Sequence, residues 1–517
     1  MRYGVGLTSR ERWRLIRLRA VSGALALGYG AAAVDPAIWR YMVRTFRPSL
    51  GRLAARHALL ACQVAALDVP AYRSFLRRSG TRKIRRLSDF PETDKRNYAG
   101  VYDEASRCHR GELHRAGVIV DESSGSTGTP FNWVRGPREL RNIYRNAAGY
   151  VELAFPGQRR FVINAYSMGA WATGTTTGAA MARIAMVKNT GPDLDKIMDT
   201  LRHFGPDYDY IVAAYPPFLK HLRDRLDATG FPWAEYHISG MVGGESMTEA
   251  LRDYLERRFA RIRSGYGASD LTIGLGAETG FTVWLRRRLS EDAALRRALL
   301  GPNEQRLPMI FHYNPLETYL EVNPRGELLC TLTSPHCLQP KLRYNVGDEV
   351  MLRELPAVEA ILRRDPQLWA ECRRAAAGDT MRLPLLFVFG RADSTVSYMG
   401  ANLYPQDIEY GLYRDNPHAD RISRFCLALE ELPDLESRPV VHLEIDSIGM
   451  DSDDLPILAE TCRRGVLDHL ARVSRDFAAS LREDPAAADL RVRLHEPGAG
   501  PFAGMTKLKN SYLVQTS

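Results

Sequence analysis

Paired cysteines are missing from this sequence. The seven present (Cys62, Cys108, Cys330, Cys337, Cys372, Cys426 and Cys462) are odd in number, scattered, and never spaced Cys-x-x-Cys. That excludes a disulfide scaffold and fits a reduced cytoplasmic protein. Cys330, His336 and Cys337 lie close in sequence but match no zinc-ligand spacing. Long apolar runs are missing too. The best candidate, Ala20 to Val34, follows the basic stretch Arg10 to Arg19 and superficially imitates a signal peptide. It falls short of the roughly 20 apolar residues that a bilayer span needs. It reads as a buried helix or a membrane-surface anchor, with no stable membrane insertion expected. Charge of one sign is only slightly in excess: the net charge is +9, mostly through arginine, over 517 residues. This favours anionic substrates, and no nucleic-acid motif accompanies it, so no nucleic-acid partner is expected.

What remains is the composition of a globular protein, 45% hydrophobic and 25% charged. It is too long for one core and is therefore expected to form two or more domains. Residues 1–90 read as an arginine-rich helical extension, with Leu53, His57, Leu60 and Val64 at helical spacing. From about 116 to 350, short apolar runs at 161–163, 184–187, 210–213 and 236–238 alternate with helical stretches. Such alternation predicts mixed α/β layers with sites at the strand ends. Beyond 400, a helix, two strands, a long helix and a final strand predict a small α+β layer.

The most informative stretch is Ser123-Ser124-Gly125-Ser126-Thr127-Gly128-Thr129-Pro130. It consists of Gly, Ser, Thr and Pro, offering approachable backbone N–H groups and hydroxyls with no bulky side chain in the way. Polyphosphates bind where such amides converge. The octet lacks the lysine of the common P-loop, and taken alone it also reads as a flexible surface turn. Its position argues for phosphate. The run Ala116-Gly117-Val118-Ile119-Val120 predicts a short buried strand before it, and Arg138 to Tyr150 predicts a helix after it.

Read with what lies downstream, the octet resembles the phosphate-binding loop of the adenylate-forming enzymes, the superfamily of acyl-CoA synthetases, peptide-synthetase adenylation domains and luciferases. Phe131 stands where that loop usually ends in lysine, as in the phenylacetate–CoA ligase branch. Phe90-Pro91 with Lys95 resembles that branch's Pro-x-x-x-Lys segment, where Lys95 is expected to be structural. Tyr266-Gly267-Ala268-Ser269-Asp270 resembles the Tyr-Gly-x-Thr/Ser-Glu motif, and Tyr344-Asn345-Val346-Gly347-Asp348 resembles Tyr-x-Thr-Gly-Asp. Gly390-Arg391-Ala392-Asp393 resembles the Gly-Arg-x-Asp crossover. Gly400 to Glu409 matches the spacing Gly-x-x-x-x-Pro-x-x-Ile-Glu.

The resemblance covers about 118 to 509. It implies an α/β fold in which a large multi-layer adenylating domain (91–392) is followed by a small mobile α+β domain (393–517). It also implies roles for individual residues. Ser124, Gly125, Ser126, Thr127 and Gly128 would hold ATP phosphates, with Thr127 acting in catalysis. Gly243, Gly244 and Glu245 would form the adenine turn, Tyr266 and Gly267 would pack on the base, and Ser269 would reach the α-phosphate. Asp270, aspartate where the family more often has glutamate, would hold Mg²⁺. Asp348 and Arg391 would bind the ribose, and Asp393 or Ser394 would be the hinge. Tyr166, Gly169 and Trp171 would line the acyl pocket. Lys507, or failing that Lys509, would stabilise the pentavalent phosphorus.

The activity implied is ATP-dependent conversion of a small carboxylic acid to an acyl-adenylate with release of pyrophosphate. Transfer to a nucleophile then follows, with CoA as the default co-substrate. An amine, a hydroxyl or a carrier-protein thiol is the alternative acceptor, and a non-catalytic nucleotide-binding scaffold is the alternative class. Segments 281–316 and 354–383 read as helical insertions that cap the acyl pocket or mediate association, as in a homodimer.

Overall fold

The computed structural model describes residues 7–32, 36–81, 84–114, 116–123, 131–170, 172–302, 304, 306–377, 381–391, 396–398, 401–431, 437–446, 451, 453–474, 477–478, 481, 488–503 and 513–514. The chain divides into two compact units. The first comprises 1–191, 265–288 and 310–389, and the second comprises 192–264, 289–309 and 390–517.

The first unit opens with four helices, α1 (Ser9–Ala32), α2 (Pro36–Thr45), α3 (Ser49–Asp68) and α4 (Pro70–Arg78). Small and aliphatic residues recur along α3 at helical spacing, and Ala54, Ala58, Cys62 and Ala65 are fully buried. Leu15 and Leu18 of α1 pack on Leu60 and Val64 of α3. At about 1.5–3 kcal/mol for each fully buried large aliphatic, such contacts hold the helices in place. Pro70 starts α4 at a position where its missing N–H costs nothing.

The octet is flanked by two strands, β1 (Ile119–Ser123) and β2 (Phe131–Arg135), paired antiparallel with Ser123 opposite Phe131. The helix α5 (Pro137–Ala154) follows. This corrects the expectation of strand, loop and helix: a second strand intervenes. The first strand also begins later than expected and is not buried. Gly117 takes a left-handed φ of 71°, which breaks extension there, and Ile119 and Val120 are 39% and 52% exposed. The ribbon is anchored through β2, where Trp133, Val134 and Arg135 are buried.

The strands Thr318–Val322, Glu327–Leu332, Tyr344–Arg353, Leu385–Arg391, Met309–Tyr313, Thr272–Ala277 and Ile262–Ala268 lie side by side in that order. The first unit also has the parallel pair Arg160–Asn164 with Met186–Asn189, and the second has the parallel pair Asp209–Ala214 with His237–Gly243. The helices expected in the two insertions are present as Gly280–Glu291, Ala293–Leu300, Leu355–Leu362 and Pro366–Ala375, but 281–316 is not wholly helical, because it also supplies the sheet strand Met309–Tyr313.

The second unit contains the small α+β layer. Its sheet runs Arg491–His495, Ser437–Ile445, Ile422–Glu431, Leu513–Val514, the central pair antiparallel and the outer pairs parallel. Two helices of the layer, Pro405–Tyr413 and Asp454–Val473, touch backbone to backbone through Gly411 and Gly465. A Cβ on Gly411 would lie 2.5 Å from the Cα of Val466. All seven cysteines are free and buried, and among the described residues no cluster of three or more His, Cys, Asp or Glu could hold a metal. No described helix is long and apolar enough to cross a membrane.

Candidate functional site

In the first unit, two of the sequence motifs meet through their side chains, although three strands separate theirs in the sheet. Tyr266 ends a strand whose neighbour reverses direction through Asp270, and Asp348 sits on Tyr344–Arg353. That strand carries two extra residues opposite its partner: Glu327 faces Glu349 while Leu329 faces Asn345. Such a bulge lifts residues out of the ladder and re-aims them. The Tyr266 hydroxyl donates to Asp348 Oδ2 at 2.5 Å, so the residues expected at the base and at the ribose are in direct contact. The half-buried Tyr266 ring lies against Phe311, with centroids 5.6 Å apart.

Asp270 is engaged at both oxygens. The Tyr344 hydroxyl donates to Oδ2 at 2.9 Å, and the Lys95 ammonium lies 3.0 Å from Oδ1. Burial, then the Asp270 charge, pushes the Tyr344 phenol far above its ordinary range, so it remains a donor. Asp270 has the hard oxygen chemistry that Mg²⁺ prefers, but its charge is already matched by Lys95. Metal and ammonium would compete for this one carboxylate.

Arg135, which sequence reasoning missed, joins the octet's ribbon to this turn. Its Nε donates to Asp121 Oδ2 (2.7 Å), its Nη1 to the Leu271 carbonyl (2.7 Å) and its Nη2 to the Ser269 carbonyl (2.6 Å). Arg135 and Asp121 are both buried here. The planar guanidinium suits three fixed acceptors in a way that lysine does not. Nothing in the sequence flags Arg135, because two of its acceptors are main-chain carbonyls more than a hundred residues away.

Behind Tyr344 lies a cavity of about 10 Å³, lined by Tyr98, Arg107, Trp133, Gln339, Lys341 and Tyr344 among others. That is room for about one water. Two cations share the Trp133 indole. The Lys341 Nζ lies 3.8 Å from a Trp133 ring centroid and the Arg107 guanidinium carbon 5.8 Å from one. Burial pushes the Lys341 ammonium down to about 7.

In the second unit, the strand His237–Gly243 runs directly into Gly244, at φ 83°. A side chain there would be strained by its backbone and would strike Tyr215, 2.7 Å from an ideal Cβ. Glu245 follows. Ile408 and Glu409 of the Pro-x-x-Ile-Glu match are buried, and the Glu409 carboxylate accepts the Thr248 N–H at 3.1 Å. Thr248 in turn caps the helix Glu249–Glu256. The motif spacing thus has a structural cause: one carboxylate ties the helix that follows the glycine turn to the helix Pro405–Tyr413. Arg391 is exposed at its strand end. Tyr166 is 3% exposed, and Gly169 adopts φ 93°. Ser124 to Gly128, Trp171, Asp393, Lys507 and Lys509 lie outside the described residues.

This architecture is similar to that of a solved CoA ligase. No family model matches the chain, and no curated protein does. Among solved structures, the chain is similar to 2-hydroxyisobutyryl-CoA ligase in the postadenylation state with R3-HIB-AMP. The TM-score is 0.64 at 14% identity, over 92% of this chain and 91% of that one. The same ligase with 2-HIB-AMP gives a TM-score of 0.62 at 15% identity over the same shares. Its thioesterification-state complex with 2-HIB-AMP and CoA gives 0.50, again at 15% identity and over the same shares. At these identities the likeness defines the fold.

Proposed function

We propose that this protein is an AMP-forming ligase. It activates a small carboxylic acid as an acyl-adenylate, releases pyrophosphate and passes the acyl group to a nucleophile, CoA first among the candidates. The observation that carries this reading is the 2.5 Å hydrogen bond between Tyr266 and Asp348, which joins two nucleotide motifs 82 residues apart within a fold shared with ligases that bind acyl-AMP.

In this reading the substrate carboxylate attacks the α-phosphorus of ATP in line, and positioning with charge neutralisation supplies the rate. Asp348 and Arg391 take the ribose hydroxyls. Tyr266, Gly267 and the turn Gly243-Gly244-Glu245 take the base. Ser269 and the octet, with Thr127, take the phosphates, and Lys507 or Lys509 offsets charge on the phosphorus. Asp270 would hold Mg²⁺, which when bound would neutralise phosphate charge. Tyr166, Gly169 and Trp171 line the acyl pocket. A rotation of residues 393–517 about Asp393 separates adenylation from transfer.

One observation favours a second reading. The Lys95–Asp270 pair leaves the expected metal acid internally neutralised, which suits a nucleotide-binding scaffold. Acid-dependent exchange of labelled pyrophosphate into ATP, run over aromatic, short aliphatic, fatty and amino acids, separates the two. Exchange with one acid, abolished in Lys507→Ala or Lys509→Ala, is the expected result. ATP binding with no exchange for any acid would transfer the assignment to the scaffold.

A further inference from the structure

Helix α1 is amphipathic in two directions. Leu15 and Leu18 face α3, and the same side carries ion pairs from Glu11 to Arg73 at 3.6 Å and from Arg19 to Asp68. At 100° per residue, Trp13, Ile16, Ala20 and Ala24 form a stripe on the opposite side. All four are exposed, Trp13 by 74% and Ile16 by 59%. Arg10 and Arg17 flank the stripe on one side, with Arg14 beyond them, and Arg12 flanks it on the other. All four arginines are exposed, and none has an acidic partner among the described residues. The next helix repeats the pattern: α2 buries Trp39 and Val43 and exposes Tyr41 by 68%, Ile38 by 42%, and Arg44.

An indole and an isoleucine held side by side in water, ringed by unpaired guanidiniums, are unusual on a free surface. The combination suits one environment in particular. Trp and Tyr settle at the headgroup boundary of a bilayer, small and aliphatic side chains enter the acyl edge, and arginines meet lipid phosphates. A nucleic acid would use the arginines but leave the Ile16, Ala20, Ala24 stripe wet. We propose that α1, supported by α2, docks the protein peripherally on an anionic lipid surface, lying in the interface without crossing it. The proposal is independent of the enzymatic reading.

The full-length protein, sedimented with vesicles, tests it. Binding is expected to vesicles containing equal parts phosphatidylcholine and phosphatidylglycerol, with little to phosphatidylcholine alone, and it should weaken in high salt. Changing Arg10, Arg14 and Arg17 to Gln should cost about fivefold in partitioning for each arginine. Trp13→Ser with Ile16→Ser should cost about tenfold or more. These side chains are exposed, so an unchanged urea midpoint verifies that the variants fold. Brominated lipid should quench tryptophan emission in the native protein, and that quenching should be lost in Trp13→Phe. No co-sedimentation with anionic vesicles, equal partitioning by all variants, or stronger capture by an oligonucleotide or acidic polypeptide would overturn the proposal.

Discussion

Lys341 is a charge placed where charge is expensive. It is 7% exposed and sits on the Trp133 face, with Arg107, Arg135, Glu139 and Cys337 as its charged or titratable neighbours. No carboxylate forms an ion pair with it among the described residues. Its pKa of about 7 lies below the ordinary lysine value, so the burial penalty is fully present below pH 7 and is relieved as pH rises towards 10. Replacing it with a side chain of similar length and no charge removes that penalty. Lys341→Met is therefore expected to stabilise the protein by about 1–4 kcal/mol at pH 6. The advantage over the native chain should shrink by about 1 kcal/mol per pH unit between 7 and 10. Urea unfolding of the two proteins across that range measures it, and a difference independent of pH would contradict the assignment. The neighbouring Tyr344 and Asp348 were legible in the sequence because they belong to a five-residue pattern. Lys341, three residues earlier, belongs to none, and only burial against Trp133 makes it notable.

At the scale of elements, the Arg135 clamp is the feature most open to test. Asp121 of β1 is 1% exposed, and its carboxylate lies 2.7 Å from Arg135. Arg135→Met leaves that buried charge without its cation, at an expected cost of about 3–5 kcal/mol in urea unfolding. Arg135→Lys should recover part of it, since it restores the charge but not the planar fork. A loss below about 1 kcal/mol in Arg135→Met would show that the ribbon is held otherwise. Elements with their own periodicity, such as α3, α5 and the helix Asp454–Val473, were readable from sequence. The ribbon was only half readable, for two reasons. Its β2 strand is short and directly follows a segment with no apolar signal, and what fixes it comes from residues 269–271. Lys95 shows the same limit. Its sequence context gave it a structural role, whereas its partner turned out to be the acid expected to bind metal.

On the scale of the whole molecule, the order of motifs carried the fold: mixed sheet first, small α+β layer after residue 400. The compact units are less simple. Residues 192–264 and 289–309 cluster with the C-terminal part of the chain, because spatial neighbours there are set by strand order and not by chain order. The Glu409 to Thr248 hydrogen bond is one such link.

The burial of every thiol, noted above as a matter of packing, makes the protein a blank canvas for chemical labelling. Burial pushes thiols such as Cys62, Cys330 and Cys426 far above or to the top of their usual range, so they present neither access nor thiolate to a maleimide. Native protein should take up close to no dye within minutes, as read by intact mass. Cysteines introduced at exposed Arg364 and Arg472, one in each compact unit, should each take one. The two dyes would then report, molecule by molecule, any change of distance when ATP and an acid are added, with none of the seven native cysteines having to be removed.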